Sequence, residues 1–132
     1  MIELEMARQL LELAEDDAKA LRAMLQSDQF HIRISGFQAQ QAAEKALKAW
    51  LVVLDVDFPL THSISALLSL LRIGGADCAR YDALKALTPY AVEVRYGASE
   101  TETAVDPATV LPLIADLLAH VRGLLEIAEA GE

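Results

Sequence analysis

The side chains that could bind a phosphate group cluster first in the second amphipathic stretch of the chain. Glu44, Lys45 and Lys48 lie within a little more than one helical turn, and Glu44 and Lys48 share a helix face because they are four residues apart. Two lysines can neutralise a phosphate, and Glu44 could orient a base or an arginine. The alternative is a solvated helix face, on which the Glu44–Lys48 pair contributes only ~0.3–0.5 kcal/mol. The residues alone leave both interpretations open.

A second candidate site lies in the segment that contains Glu93, Arg95 and Tyr96 and ends at Gly97. A guanidinium can hold a phosphate with two parallel donors, and a tyrosine can stack on a base. In the structural alternative, Arg95 hydrogen-bonds the last carbonyls of a helix. Arg95 is the best candidate in the chain for a catalytic or anion-binding residue, with Glu93 and Tyr96 as its neighbours.

The three histidines predict neither a metal site nor an acid–base pair. His62 follows Thr61 at a helix start and is interpreted as a cap or packing residue, because no acid lies near it in sequence. His120 is interpreted as a surface residue. Asp28 and His31 have the spacing of metal ligands, but a di-metal bundle needs Glu-x-x-His pairs, which the sequence lacks. We therefore expect no metal and no other cofactor.

The elements that must position these side chains are helical. Of 132 residues, 54% are hydrophobic but only 5% are aromatic, and the surplus is alanine and leucine, which favour helices. No long stretch alternates with a period of two. The length is that of one domain, so residues 1–132 are expected to form a single all-α unit, an up-and-down bundle of four long helices plus one short helix.

The net charge of −9 limits the choice of partners. Proteins that bind nucleic acid without specificity carry the opposite sign, so any contact with RNA or a nucleotide requires a local basic patch. The acidity also suits a basic protein partner. The lone cysteine, Cys78, excludes an intramolecular disulfide. With no signal peptide and no apolar stretch near the ~20 residues of a membrane span, we expect a cytoplasmic protein without membrane contact.

Five helical segments follow from the periodicity. They are expected over about Ile2–Gln26, about Ser35–Asp55 and Ile64–Leu71, then from about Asp77 and from Asp106 onward. Met6 and Leu13 are assigned to the inward face of the first helix. Thr61 or Ser63 should cap the third and Asp106 the fifth. The fourth carries Tyr81, Leu84 and Leu87, and it either kinks at Pro89 or restarts with Thr88 as its cap.

The fifth helix carries two apolar rows. The first row passes through Val110. The second row consists of Leu111, Leu118 and Leu125, each seven residues after the one before. This stripe is wider than one core face requires. We therefore expect the second row to contact another copy of the chain in a homodimer.

Two segments resemble the HEPN family of helical domains. The first runs from Gly36 to Trp50 with the sequence GFQAQQAAEKALKAW and continues to Thr61-His62, and the second is LTPYAVEVRY, Leu87–Tyr96. The resemblance covers nearly the whole chain and implies a dimeric bundle. Family members often accompany a separately encoded minimal nucleotidyltransferase, as toxin–antitoxin or nucleotide-transfer pairs. Many are metal-independent ribonucleases that use an arginine followed by a histidine after four to six residues, and this chain lacks that motif.

The resemblance implies an interaction module that binds a nucleotide or RNA phosphate in a cleft between two copies. Arg95 would line the cleft, supported by Tyr96, Glu44 and Lys45. One alternative is a ribonuclease toxin that uses Arg95 with another general base, for which Glu93 and His62 are candidates. The other is a dimeric scaffold without a ligand.

Overall fold

The computed structural model describes residues 3–91 and 105–132, and within these ranges the regular structure is entirely helical. The elements are α1 (Leu4–Leu25), α2 (Ile32–Val53), α3 (Ile64–Ile73), a 3₁₀ helix (Ala79–Leu87) and α4 (Pro107–Ala130). The predicted all-α class is confirmed. α4 corresponds to the fifth predicted helix, and the 3₁₀ helix takes the place of the fourth.

Side chains cap three of the helices. Ser63 Oγ accepts a hydrogen bond from the Ala66 amide at the start of α3, and Asp106 Oδ1 accepts one from Ala108 at the start of α4. Both caps were expected. α2 begins at Ile32, a few residues earlier than predicted, because the imidazole Nδ1 of His31 accepts from the Arg33 amide and serves as the cap. Histidine is not among the residues that usually mark a helix start.

The segment that was expected to be an α-helix from about Asp77 is a 3₁₀ helix, and the described residues that follow it, 88–91, are α-helical. Tyr81, Leu84, Leu87 and Tyr90 are all fully buried. They are spaced by three, and residues three apart lie on one edge of a 3₁₀ helix. Thr88 has helical dihedral angles, so it is not a new N-cap.

α1 packs against both α2 and α4 with a face that differs from the predicted one. Its buried residues include Leu4, Ala7 and Leu11, whereas Met6 and Leu13 are 44% and 50% exposed. Their assignment to the core was wrong, because the contact face is centred on the row of leucines and alanines beside them.

Ion pairs join the first and last helices. Arg8 pairs with Glu129, and Arg122 Nη2 lies 2.6 Å from Glu15 Oε1. The partner number falls as the α1 residue number rises, so α1 and α4 are antiparallel. α2 packs against both, and its inward surface is a row of fully buried alanines: Ala39, Ala42, Ala43, Ala46 and Ala49.

The second apolar row of α4 is not free for another chain. Leu125 is fully buried and Leu118 is 7% exposed, and both belong to the chain's own core. Leu111 is partly buried against the same core. The expected seam is therefore corrected at Leu118 and Leu125, because intramolecular contacts already cover them. That the chain forms a dimer stays a prediction.

By length and composition, α4 could also cross a membrane, which corrects the expectation that no stretch is apolar enough. Its polar groups, however, contact the rest of the molecule. Asp116 accepts a hydrogen bond from Tyr81, and Arg122 and Glu129 pair with α1. A helix in the core of a protein can be as long and as apolar as α4, so these two properties do not indicate a membrane span.

Candidate functional site

Glu44 is the buried charged residue of the described chain, with 4% of its surface exposed. It lies on α2 near the fully buried Ala43 and Ala46. An ionised carboxylate is stable in such a place only when its oxygens accept hydrogen bonds. Three donors surround it: Gln40 Nε2 and His62 Nδ1 lie 2.8 and 3.0 Å from Oε1, and Lys48 Nζ lies 2.8 Å from Oε2.

Helical spacing and the connection before α3 bring these groups together. Gln40, Glu44 and Lys48 are four residues apart, so they form one row along α2. Gln40 Nε2 also donates to the backbone carbonyl of His62 at 3.1 Å, which fixes the connection against the row. We call Gln40, Glu44, Lys48 and His62 the Glu44 cluster. Its imidazole is half exposed, whereas its carboxylate is buried, so the cluster reaches from the core to the surface.

Two opposing effects act on the Glu44 carboxyl. Burial raises its pKa, because the charged form loses its water. The hydrogen bonds from Lys48, Gln40 and His62 favour the charged form, and together with the Lys48 charge they outweigh burial, so that the pKa of Glu44 lies below its ordinary value. Because a carboxylate can only accept, the Nδ1–H of His62 is the donor, and this contact fixes the tautomer and orientation of the ring.

The structure separates two lysines that the sequence placed in one site. Lys48 belongs to the Glu44 cluster, whereas Lys45 Nζ lies 2.6 Å from Asp17 Oδ2 on α1. Gln38 also donates to Asp17, at 2.9 Å. Lys45 therefore joins α1 to α2 on another side of the helix, and its charge is already balanced there.

Arg95, Tyr96 and Glu93 lie outside the described residues. The described chain before them is closely anchored. Thr88 Oγ1 accepts a hydrogen bond from the Ile64 amide at 3.2 Å, and the hydroxyl of Tyr90 donates to the Val105 carbonyl at 2.7 Å. The segment that leads toward Arg95 is thus attached to the start of α3, two residues from His62.

A second polar group packs around Trp50, where the buried Tyr81 meets the half-buried His120 and the exposed Asp116. The His120 ring packs edge-on against the Trp50 ring, with 4.7 Å between the ring centroids. The centroids of the Tyr81 and Trp50 rings lie 5.9 Å apart. Burial lowers the pKa of His120, and Arg80 lowers it further. Burial and the 2.7 Å hydrogen bond to Asp116 raise the pKa of Tyr81 to about 12. His120 is thus half-buried against Trp50 and is not the fully solvated surface residue that was expected.

Gln40 and the acid partner of His62 were not predicted from the sequence. Gln40 could have been found, because it lies four residues before Glu44 on the same predicted face. The Glu44–His62 contact had no local signal, since the two residues are 18 apart and lie on different elements. Among residues 3–91 and 105–132, no group of three or more potential ligands could hold a metal ion.

Together, the described residues form an all-α fold whose alanine-rich core contains a buried carboxylate that holds a histidine. A family model described as HEPN domain matches residues 7–129, nearly the whole chain. The chain belongs to the HEPN family, as the resemblance predicted. It matches no curated protein and no solved structure.

Proposed function

We propose that this HEPN chain is a dimeric interaction module that binds the phosphate of a nucleotide or an RNA segment between two copies. The observation that carries the proposal is the Glu44 cluster. A buried ion in a helix core usually stabilises a fold no better than apolar side chains of similar volume, and polar clusters with perturbed pKa values concentrate at functional sites. His62 and Lys48 are the groups of this cluster that could donate to a phosphate.

The assembly in which this module works is proposed from the family. A separately encoded nucleotidyltransferase is the expected protein partner, and the two chains would form a toxin–antitoxin or nucleotide-transfer pair. Arg95 is the expected anion-binding residue, with Tyr96 and Glu93 near it in sequence. Two copies would place two Glu44 clusters at one cleft.

Ligand binding can be tested with a fluorescein-labelled RNA oligonucleotide and a labelled adenine nucleotide, each titrated with the full chain. We expect His62→Ala, Lys48→Ala and Arg95→Ala to weaken binding by about tenfold each, the effect of losing one charge-assisted hydrogen bond. His31→Asn and Lys19→Ala are matched controls, because both residues are exposed and lie outside the cluster. Equal binding by the cluster variants and the controls would contradict the proposal.

The dimer needs a separate measurement. Sedimentation at several protein concentrations should show association in the micromolar range. A monomer throughout that range would remove the shared cleft, even if a single copy bound the labelled ligand. A stable dimer that binds neither RNA nor nucleotide would support the ligand-free scaffold instead.

One contact favours a second candidate function, a metal-independent ribonuclease. A histidine whose Nδ1–H donates to a carboxylate is oriented to act as a general base through its other nitrogen. In this function His62 takes the 2′-hydroxyl proton, the 2′ oxygen attacks the adjacent phosphorus, and the bond to the 5′ oxygen breaks as the imidazolium returns the proton to that oxygen. Arg95 would stabilise the phosphate charge.

Cleavage of RNA in the presence of a chelator distinguishes the two functions. The ribonuclease requires that His62→Ala and Arg95→Ala abolish cleavage while His31→Asn retains it. If the wild-type chain binds RNA and leaves it intact, the module function stands alone. If all variants cleave equally, neither residue is catalytic.

A further inference from the structure

An apolar groove lies between the start of α1 and the end of α2, beside the connection to α3. Val52, Val56 and Phe58 form its floor, and Met6 and Leu60 stand at its edge. The groove encloses about 450 Å³. The side chain of Leu60 is fully exposed and that of Met6 is 44% exposed, so the apolar surface continues outward from the groove. A contiguous exposed apolar surface of this kind is typical of surfaces that contact another protein.

Three carboxylates line the same groove: Glu3, Asp55 and Asp57. In the part of the chain that the structure describes, none of them forms an ion pair. No lysine, arginine or histidine lines the groove, and Lys48, whose Nζ lies 5.9 Å from the Phe58 ring centroid, pairs with Glu44 instead. The other acids that face neighbouring helices, such as Asp17 and Glu15, are paired. The groove therefore combines an apolar floor with an unbalanced negative charge.

The charge distribution decides which occupant fits. RNA, nucleotides and an anionic membrane surface would bring further negative charge toward three carboxylates and would be repelled. A second copy that placed the same groove against this one would juxtapose six carboxylates, and like charges across an interface oppose association. A segment with apolar side chains flanked by lysine or arginine satisfies both the floor and the rim.

We propose that this groove binds a basic amphipathic segment of a partner protein. An apolar side chain of that segment enters between Val52, Val56 and Phe58, and its flanking cations pair with Glu3, Asp55 and Asp57. The net charge of −9 on the chain attracts such a partner from a distance, and the groove selects it at contact. The proposal does not depend on the phosphate ligand of the Glu44 cluster.

The probe is a labelled helical peptide of about 18 residues, composed of leucine and lysine with leucine on one face. Its control is the same peptide with every lysine replaced by glutamate. Fluorescence anisotropy with the full chain should show saturable binding of the lysine peptide alone. Absence of that binding, or equal binding of the glutamate peptide, overturns the proposal.

Two double variants, one in the groove and one outside it, test whether the peptide binds in the groove. The double variant Glu3→Lys/Asp57→Lys should weaken binding of the lysine peptide at least about tenfold, whereas Asp16→Lys/Asp28→Lys, with the same change of net charge at exposed acids outside the groove, should change it less than about threefold. Equal losses in the two double variants would show general charge attraction and overturn the proposal.

A second pair of variants tests whether the apolar side chains of the groove contribute to peptide binding. Leu60→Ser should weaken binding, and Ile127→Ser, at a residue that is 73% exposed on α4, should leave it unchanged. If Leu60→Ser instead shifts the sedimentation of the free chain and leaves peptide binding intact, the groove is an interface between copies and the proposal is wrong.

Discussion

At the scale of single residues, the Glu44 carboxylate couples folding to pH. Its pKa is lower in the folded chain than in the unfolded chain, because the donors Lys48, Gln40 and His62 outweigh the effect of burial. A group of this kind contributes stability that is fully present above the unfolded pKa, about 4.3 for glutamate, and that is lost as the pH falls through the folded value. The cluster thus stabilises the fold at neutral pH and weakens it in acid.

Replacing the carboxylate tests this coupling. We expect Glu44→Gln to lower the free energy of unfolding at pH 7 by about 2–3 kcal/mol, because Lys48 loses a partner in a largely buried position. The difference from wild type should shrink as the pH falls below about 4.3. Urea denaturation at several pH values measures both effects.

The exposed Glu12 provides the control for that experiment. Glu12→Gln should change the stability by less than about 0.5 kcal/mol at any pH. A Glu44→Gln deficit that stays constant between pH 7 and pH 3 would contradict the role assigned to the carboxylate.

Two of the four residues of the Glu44 cluster, Glu44 and Lys48, were predictable from the sequence. Periodicity placed Glu44 and Lys48 on one face of α2, since both belong to the same helix. It could not place His62, because the position of a connecting segment depends on how α3 returns to α2. Periodicity also placed Lys45 in the same site. Spacing along α2 does not show that Asp17 on α1 lies beside Lys45 and pairs with it.

At the scale of elements, one close approach fixes the end of the 3₁₀ segment against α2. A Cβ atom added to Gly36 would lie 2.3 Å from the ring carbon Cε1 of Tyr90, which is far inside van der Waals contact. Tyr90 is fully buried, and its hydroxyl donates to Val105. The absence of a side chain at Gly36 is therefore what lets α2 and the turn that holds Tyr90 pack together.

We expect Gly36→Ala to lower the free energy of unfolding by about 1–3 kcal/mol, the usual range for overpacking a core. Gly123→Ala on α4 is the matched control, because nothing lies within 4 Å of the added Cβ. There the helix propensity of alanine should raise stability by about 0.5–1 kcal/mol. Thermal or urea unfolding measures both changes.

The assignment to Tyr90 is checked by a double-variant cycle. When Tyr90→Leu removes the ring, the further change Gly36→Ala should cost less than it does in the wild-type chain. An unchanged cost would mean that the added methyl group meets something other than Tyr90.

Element boundaries show why the sequence predicts some features and not others. The caps of α3 and α4 use serine and aspartate, whose side chains bond the backbone within a few residues, so local sequence is enough to predict them. The 3₁₀ helix carried a readable signal in the spacing of Tyr81, Leu84, Leu87 and Tyr90. Leu118 and Leu125 were wrongly assigned to a dimer contact. Their burial depends on how wide a surface α1 and α2 present to α4, which the sequence of α4 alone does not show.

At the scale of the whole molecule, the five helical elements of the described residues contribute to one connected core. Trp50 on α2 is 2% exposed and touches residues from both the 3₁₀ helix and α4. The ion pairs of Arg8 and Arg122 join the first helix to the last. No element has a core of its own, so the chain should unfold as a unit.

The prediction is a single cooperative transition, as is usual for domains of this length. Trp50 fluorescence reports the packing around α2, and far-ultraviolet circular dichroism reports the helices as a whole. The two signals should give the same midpoint in urea. Midpoints that differ beyond experimental error would show that part of the chain unfolds independently.

The buried alanines of α2 restrict how this protein can evolve. Ala39, Ala42, Ala43, Ala46 and Ala49 have no exposed surface, so nearly every amino acid that one nucleotide change can introduce there is either larger or polar. Substitutions in a lineage should therefore accumulate on the outer surfaces of α1 and α4 and spare this row. In a saturation mutagenesis library, the alanine row should tolerate little beyond glycine and serine.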